Sequence, residues 1–360
     1  MRSLATDSTW PMLDLSTPAL VVDLDVFDAN VGAMARLIAD TGKTVRPHVK
    51  THRTPELARR QLGGPAVGLT CATVGEAESM LEVGLDDLLI ANEVVDEAKI
   101  DRVAAMARGA GVTVAVDDGA PAEALSRSAV RAGSTVGVLI DVDILLHRCG
   151  VGSVAEALAL AAVIERLPGV ELRGIMGYEG RVRLTGPDRE GHIARAYEAL
   201  TKTATALRAA GFRVDTVSAA GTSTLREALA DPVITEVQAG VYALMEPELL
   251  VMDLPFKCAV SLRGTVISRH PGRIVLDAGR RVVGMEYGAP TPIGFEAHSI
   301  VMGDEHATIT MDDPLPELGS QLALVPGQVR TTFNLHDHVW VTRRGEVVDS
   351  WPISARGSSQ

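Results

Sequence analysis

Cysteine is scarce, with 3 in 360 residues, Cys71, Cys149 and Cys258, far apart and set in apolar stretches. Such spacing excludes a disulfide framework or a zinc knot and fits reduced core thiols, so the cytoplasm is the expected compartment. The sequence also lacks any lysine/arginine tract, and its net charge of -12 offers no potential that would gather nucleic-acid phosphates or anionic lipid. No apolar run reaches the roughly 18 residues needed to span a bilayer, and the first residues show no leader pattern, so no membrane role is expected. A small-molecule partner remains. What is present is a hydrophobic fraction of 46% against 22% charged residues, enough apolar surface to fold. A chain of this length suits two domains, because single cores rarely grow far past about 250 to 300 residues.

From residue 44 to about 245 one theme repeats: a short apolar run, a polar or glycine turn, then an alanine- and leucine-rich helical pattern. The runs are TVRPHV (44–49), AVGLTCA (66–72), DLLIA (87–91), VTVAVD (112–117), TVGVLIDV (135–142), LRGIMGY (172–178), VDTVSAA (214–220) and ITEVQAG (234–240). Each is continuously hydrophobic, as an inner parallel strand requires. Eight such units predict an α/β fold with a closed (β/α)8 TIM-type barrel over residues 24–250; an open doubly wound sheet is the weaker alternative. After residue 250 the helical period vanishes and strand-like segments broken by glycine and proline follow. A mainly antiparallel β domain is therefore expected from residues 1–23 plus 251–360, including an early strand at 18–23. The last residues, ARGSSQ, are expected to fray.

Functional groups of such a barrel gather on the loops after the strand ends, and phosphate is commonly held after strands seven and eight. Strand one ends in Arg46-Pro47-His48-Val49-Lys50-Thr51-His52, which brings Lys50 to the mouth. It is either a solvated strand-end lysine or an amine able to form a Schiff base. After strand seven come Gly221 and Thr222 and then a helical pattern; after strand eight come Gly240 and Tyr242. Backbone N–H groups and hydroxyls there can meet an anion, although the same residues also make plain turns and caps.

The segments TPALVVDLD, RPHVKTH, CATVGEAE and VDDG, continued by Arg148-Cys149-Gly150, Gly177-Tyr178-Glu179-Gly180, Gly221-Thr222, the run from Thr235 to Tyr242 and Asn334-Leu335-His336-Asp337, resemble the D-threonine aldolase and D-serine dehydratase-like family. That resemblance implies fold-type III architecture of the alanine racemase type, with the β domain completing the active site. It also implies pyridoxal 5'-phosphate as cofactor and a homodimer. Carried over position by position, it makes Lys50 the cofactor-holding lysine and a base at the substrate α-carbon. Arg148 would lie near the cofactor's phenolic oxygen, its rival role being an ion pair with Asp141 or Asp143. Tyr178 would wall the ring, and Gln238 would face the pyridine nitrogen as a neutral partner where alanine racemases place an arginine. Gly221, Thr222, Gly240 and Tyr242 become phosphate-loop positions. His48 flanks the lysine and, by strand alternation, shares its face; for His52 a structural role competes.

One departure stands out. The family's metal-binding His-x-Cys or His-x-Asp pair is replaced by Gln328 and Arg330, and a guanidinium has no lone pair to give a cation. A divalent metal is therefore not expected, although His336 and His338 form a nearby His-x-His pair. Arg330, with Arg181 and Arg183, offers positive charge to a substrate carboxylate or a developing oxyanion. The resulting expectation is a lyase acting on a D- or β-hydroxy amino acid by retro-aldol cleavage or β-elimination. Racemase, epimerase or transaldolase activity on the same scaffold, a non-catalytic pyridoxal-phosphate-binding protein, and a barrel enzyme without the cofactor are the alternatives.

Overall fold

The computed structural model describes residues 13–180 and 185–360, so Arg181 and Arg183 lie outside the described residues. Strand β1 (Ala19–Asp23) leads into helix α1 (Leu24–Ile38). The alternating part then runs β2 (Thr44–Val45), α2 (Pro55–Gln61), β3 (Leu69–Cys71), α3 (Val74–Leu81), β4 (Asp87–Glu93), α4 (Glu97–Met106), β5 (Gly111–Val116) and α5 (Gly119–Ala132). It continues through β6 (Val136–Asp141), α6 (Val154–Ile164), β7 (Val170–Met176), α7 (Arg189–Ala209), β8 (Thr216–Ala219), α8 (Leu225–Ala230) and β9 (Glu236–Val237).

The helices start where the sequence provides caps. Thr73, Asp96, Asp118 and Ser153 each accept a backbone N–H of the first turn of α3, α4, α5 and α6. That bond satisfies a donor the helix itself leaves unpaired. The eight strands β2 to β9 form one parallel sheet in the order β2-β9-β8-β7-β6-β5-β4-β3. Single bridges Val45–Ala66 and His48–Thr70 join its first and last members, so the barrel closes as the eight apolar runs predict. All six residues of β6 are buried, which explains why such strands carry no polar alternation. Between β7 and β8 a side chain is impossible at one point: a Cβ on Gly174, which has φ +150°, would lie 1.9 Å from the Thr216 carbonyl oxygen.

The second sheet contains β1, β10 (Val260–His270), β11 (Arg273–Leu276), β12 (Thr291–Ile293), β13 (Ser299–Met302), β14 (Ala307–Thr310) and β15 (Gln321–Val325). After the short helix α9 (Val329–Asn334) it is completed by β16 (His338–Arg343) and β17 (Glu346–Pro352). Its pairings are antiparallel except β1 with β16. The helix α9 departs from the all-strand reading of this region. Leu262, Ile274, Leu276, Ile309 and Leu324 form part of its buried core.

Two compact units result. The barrel unit comprises Ala35–Lys50, Ala58–Gly240 and Ser358–Gln360; the β unit comprises, among the described residues, 13–34, 51–57 and 241–357. The last three residues are anchored where fraying is expected from composition. The Thr73 hydroxyl donates to the Ser358 carbonyl (2.5 Å) and the Gly75 N–H to that of Gln360 (2.9 Å), at the first turn of α3. Among the described residues no helix is long and apolar enough to cross a membrane.

Candidate active site

Strand β2 ends at Val45, and Lys50 follows in a single 3-10 turn, Val49–Thr51. The alternation that would put His48 and Lys50 on one face stops before residue 50, because three residues per turn replace the two-residue period. His48 is buried and bridged to Thr70. Lys50 is half-buried, with Nζ 5.9 Å from the centroid of the Tyr178 ring, within cation–π range. Tyr178 follows the end of β7. A Cβ built on Gly221 would lie 3.7 Å from Tyr178 Cε2 and 3.9 Å from its hydroxyl, so a small residue sits close against the ring. Lys50, Tyr178 and Gly221 are thus brought together from strand ends one, six and seven of the barrel.

The turn after β8 is held from below. Ala220 has φ +67°, a left-handed conformation that residues with a Cβ avoid. The Gly221 N–H donates to Thr224 Oγ1 (3.2 Å), the Thr224 hydroxyl donates to the buried Glu179 carboxylate, and Arg189 donates to the Ser223 carbonyl (2.5 Å). Thr222 is buried and opens a 3-10 turn to Thr224. The helix that follows, α8, has only 6 residues.

Gln238 belongs to a chain of hydrogen bonds. Its amide N–H donates to Ser218 Oγ (3.0 Å), the Ser218 hydroxyl to Glu236 (2.6 Å), and Arg46 Nε to the same carboxylate (2.9 Å). A carboxylate paired to arginine only accepts, which commits the serine proton to Glu236 and obliges Ser218 to accept from Gln238. The amide orientation follows from this relay. Arg46 also pairs with Asp87 (2.7 Å), and Gly68, at φ +134°, makes room: its Cβ would lie 2.3 Å from the guanidinium. Gly240 closes the barrel unit and is buried.

Arg148 is exposed on the loop after β6. Asp143, one of its two proposed ion-pair partners, is taken by His147 (2.9 Å). Asp141 instead shares a hydrogen bond with Glu93, and its carboxyl is pushed up to about 8, first by burial and then by Glu93, with Arg148 pulling the other way. The Gly150 N–H donates to Asp117 (3.0 Å), tying the loop to the end of β5. Ligand-type atoms of Glu93, Asp117 and Cys149 lie within 4.8 Å of one another, the only such group of three among the described residues. Burial, followed by Glu93, pushes the Cys149 thiol up to about 11.

In the β unit, Tyr242 is buried with its ring centroid 5.5 Å from that of Phe256. Gln328 precedes α9; its side-chain oxygen accepts from the Thr331 hydroxyl, and its backbone oxygen from that of Thr332 (2.5 Å). Arg330 donates to the Tyr287 hydroxyl (2.8 Å), lies over that ring at 5.3 Å, and approaches the buried Glu246 at 3.7 Å. His336 lies before β16 rather than in it, so alternation does not pair it with His338. Its Nε2 is bonded to the Val282 carbonyl (2.8 Å), and His338 is exposed. His52 is fully buried, accepts the Thr54 N–H at Nδ1 (3.1 Å) and meets Phe333 edge-on.

Reading the sequence misses Glu179, Thr224, Ser218 and Glu236. A signal for one of them was present: a glutamate inside the apolar run ITEVQAG must be paired if it is to be buried.

Residues 22–246 match the family described as alanine racemase, N-terminal domain, and residues 259–342 match a putative serine dehydratase domain. The chain is similar to the D-threonine aldolase of Arthrobacter sp., 37% identical over 97% of this chain and 95% of that protein. It is also similar to the 3-hydroxy-D-aspartate aldolase of Paracoccus denitrificans, 31% identical over 96% and 93%. The solved structure of D-threonine aldolase from Filomicrobium marinum superposes with a TM-score of 0.92 at 34% identity, covering 99% of this chain and all of that one.

Proposed function

Since the chain belongs to the alanine racemase N-terminal-domain family and carries a putative serine dehydratase domain, we propose that it is a pyridoxal-phosphate-dependent lyase cleaving a D-configured β-hydroxy amino acid to an aldehyde and a smaller amino acid. The observation that carries this reading is the approach of Lys50 Nζ to the Tyr178 ring, 5.9 Å, at the C-terminal end of the first barrel strand and beside Gly221. Both similar proteins described above are named as aldolases of D-amino acids.

The residues present fit the cofactor. Lys50 would hold it covalently through Nζ, Tyr178 would wall its ring, the Gly221–Thr222 turn would take its phosphate, and Gln238 would offer a neutral amide. Bound there, pyridoxal phosphate supplies an electron sink for the bond broken at the substrate α-carbon. Lys50, once released, holds or moves a proton at that carbon. The Tyr178 ring stands beside the amine, its centroid 5.9 Å from Nζ. Arg148 is the exposed cation of the β6 loop, assigned to an anionic oxygen of the cofactor.

The donor set around residue 328 does not fit a divalent ion, so no step is routed through one. Arg330, a cation bonded to Tyr287, has no lone pair to give, and Gln328 offers only a neutral amide oxygen. Arg330 is instead assigned as an anion anchor of the β unit. A cytoplasmic homodimer completes the reading, in keeping with three free cysteines and the family resemblance.

The test is product analysis of the purified protein with pyridoxal phosphate and either D-threonine or D-3-hydroxyaspartate. Glycine and an aldehyde in equal amounts are expected. A keto acid with ammonia would make it a dehydratase, an inverted enantiomer a racemase, and a spectral change without product a carrier.

A further inference from the structure

Glu179 is a buried carboxylate that the proposed chemistry does not use. It directly follows Tyr178 and is only 2% exposed. The Thr224 hydroxyl donates to its Oε1, and Thr224 Oγ1 accepts the Gly221 N–H at 3.2 Å. The backbone amide of Ala220 donates to the same carboxyl. Two bonds therefore converge on this side chain from the turn after β8, both with their donors on the turn, and a third ties Gly221 to Thr224.

The turn needs such a support. Ala220 is held at φ +67° although it is not glycine, and a residue stays in that region only where its surroundings over-determine it. On the other side of the turn Arg189 fixes the Ser223 carbonyl and is itself paired with Glu227. Loops at this place in a barrel commonly hold phosphate. A carboxylate beneath such a loop would oppose an anion if it kept its full charge, but burial, the largest influence on Glu179, raises its pKa.

We propose that Glu179 is a positioning residue which, through Thr224 and Ala220, presets the Ala220–Thr224 turn to receive the phosphate of the cofactor and touches no reacting atom. This rests on the cofactor reading given above. It separates two tasks on adjacent residues, Tyr178 against the ring and Glu179 beneath the phosphate turn.

The experiment titrates cofactor-free, full-length wild type, Glu179→Gln, Glu179→Leu and Thr224→Val with pyridoxal phosphate and, separately, with pyridoxal. Binding is followed by the absorbance band expected at about 420 nm for a protonated imine. Wild type is expected to prefer the phosphorylated aldehyde. Glu179→Leu and Thr224→Val should bind pyridoxal phosphate roughly 10- to 100-fold more weakly, the range for a lost buried hydrogen bond that leaves its partner unsatisfied, with pyridoxal affinity little changed. Glu179→Gln retains an acceptor and should restore most of the preference. Thr224→Val keeps Glu179 in place, so it carries the test if Glu179→Leu fails to fold. Variants that keep the wild-type preference, or that weaken both aldehydes equally, overturn the role of Glu179 and leave the cofactor reading standing. A wild type that binds neither aldehyde, or binds both alike, overturns the two together.

Discussion

Replacing Asp141 by Asn should make the protein more stable at alkaline pH and leave it unchanged in acid. Asp141 ends β6, is 5% exposed and shares a hydrogen bond with Glu93. Its folded-state pKa, about 8, lies above the unfolded value of 3.8, chiefly through burial. The sign follows directly: the contribution of this carboxyl to stability is fully present below about pH 3.8 and is lost as the pH rises through about 8. At about 1.36 kcal/mol per pKa unit the whole span corresponds to a ceiling of roughly 6 kcal/mol. Because Glu93 shares the proton, about half, roughly 2 to 3 kcal/mol, should return in Asp141→Asn above about pH 8. Urea unfolding of both proteins across this range reads the difference, since titrating groups remote from Asp141 cancel between them. A difference in stability that does not change with pH, or one that favours wild type at high pH, would refute the shared-proton arrangement.

Chelation with EDTA should leave turnover unchanged, because Gln328 and Arg330 stand where a metal-binding pair would be needed; loss of activity restored by manganese or zinc would show that a cation is required. Arg330→Leu should raise the KM for D-3-hydroxyaspartate roughly 10- to 100-fold, the range for a charge-assisted contact, while that for D-threonine moves little; steady-state kinetics on both substrates check this. Gly174→Ala should cost more than about 3 kcal/mol, since its Cβ would fall 1.9 Å from the Thr216 oxygen and β7 and β8 would have to part. Denaturant unfolding would show it as a shifted midpoint, and a midpoint equal to wild type would mean that the strands separate freely.

The eight barrel strands are legible because each is a short apolar run with both faces covered, and nothing but burial decides their place. Lys50 and Gly221 stand out by residue type at strand ends and Tyr178 through the family resemblance, and the fold brings them together although they are 128 and 43 positions apart along the chain. What could not be read is long-range. The support of Gly221 by Glu179 through Thr224 depends on a contact between residues 45 positions apart. The relay from Gln238 to Arg46 depends on the register that sets Ser218 opposite Glu236. Local rules also misled where geometry changed within a few residues. The 3-10 turn at Val49–Thr51 ends the strand alternation before Lys50, and the turn before β16 removes His336 from the strand. Likewise the tail, polar and rich in serine and glycine, is ordered by Thr73 and Gly75, which nothing in its composition announces.

Treatment of the purified protein with borohydride, followed by peptide mapping, locates the amine that carries the cofactor. The pyridoxyl group is expected on the peptide containing Lys50, and Lys50→Ala should abolish both the adduct and the visible band. An adduct on another lysine, or none in protein supplied with pyridoxal phosphate, would contradict the assignment on which the proposed chemistry rests.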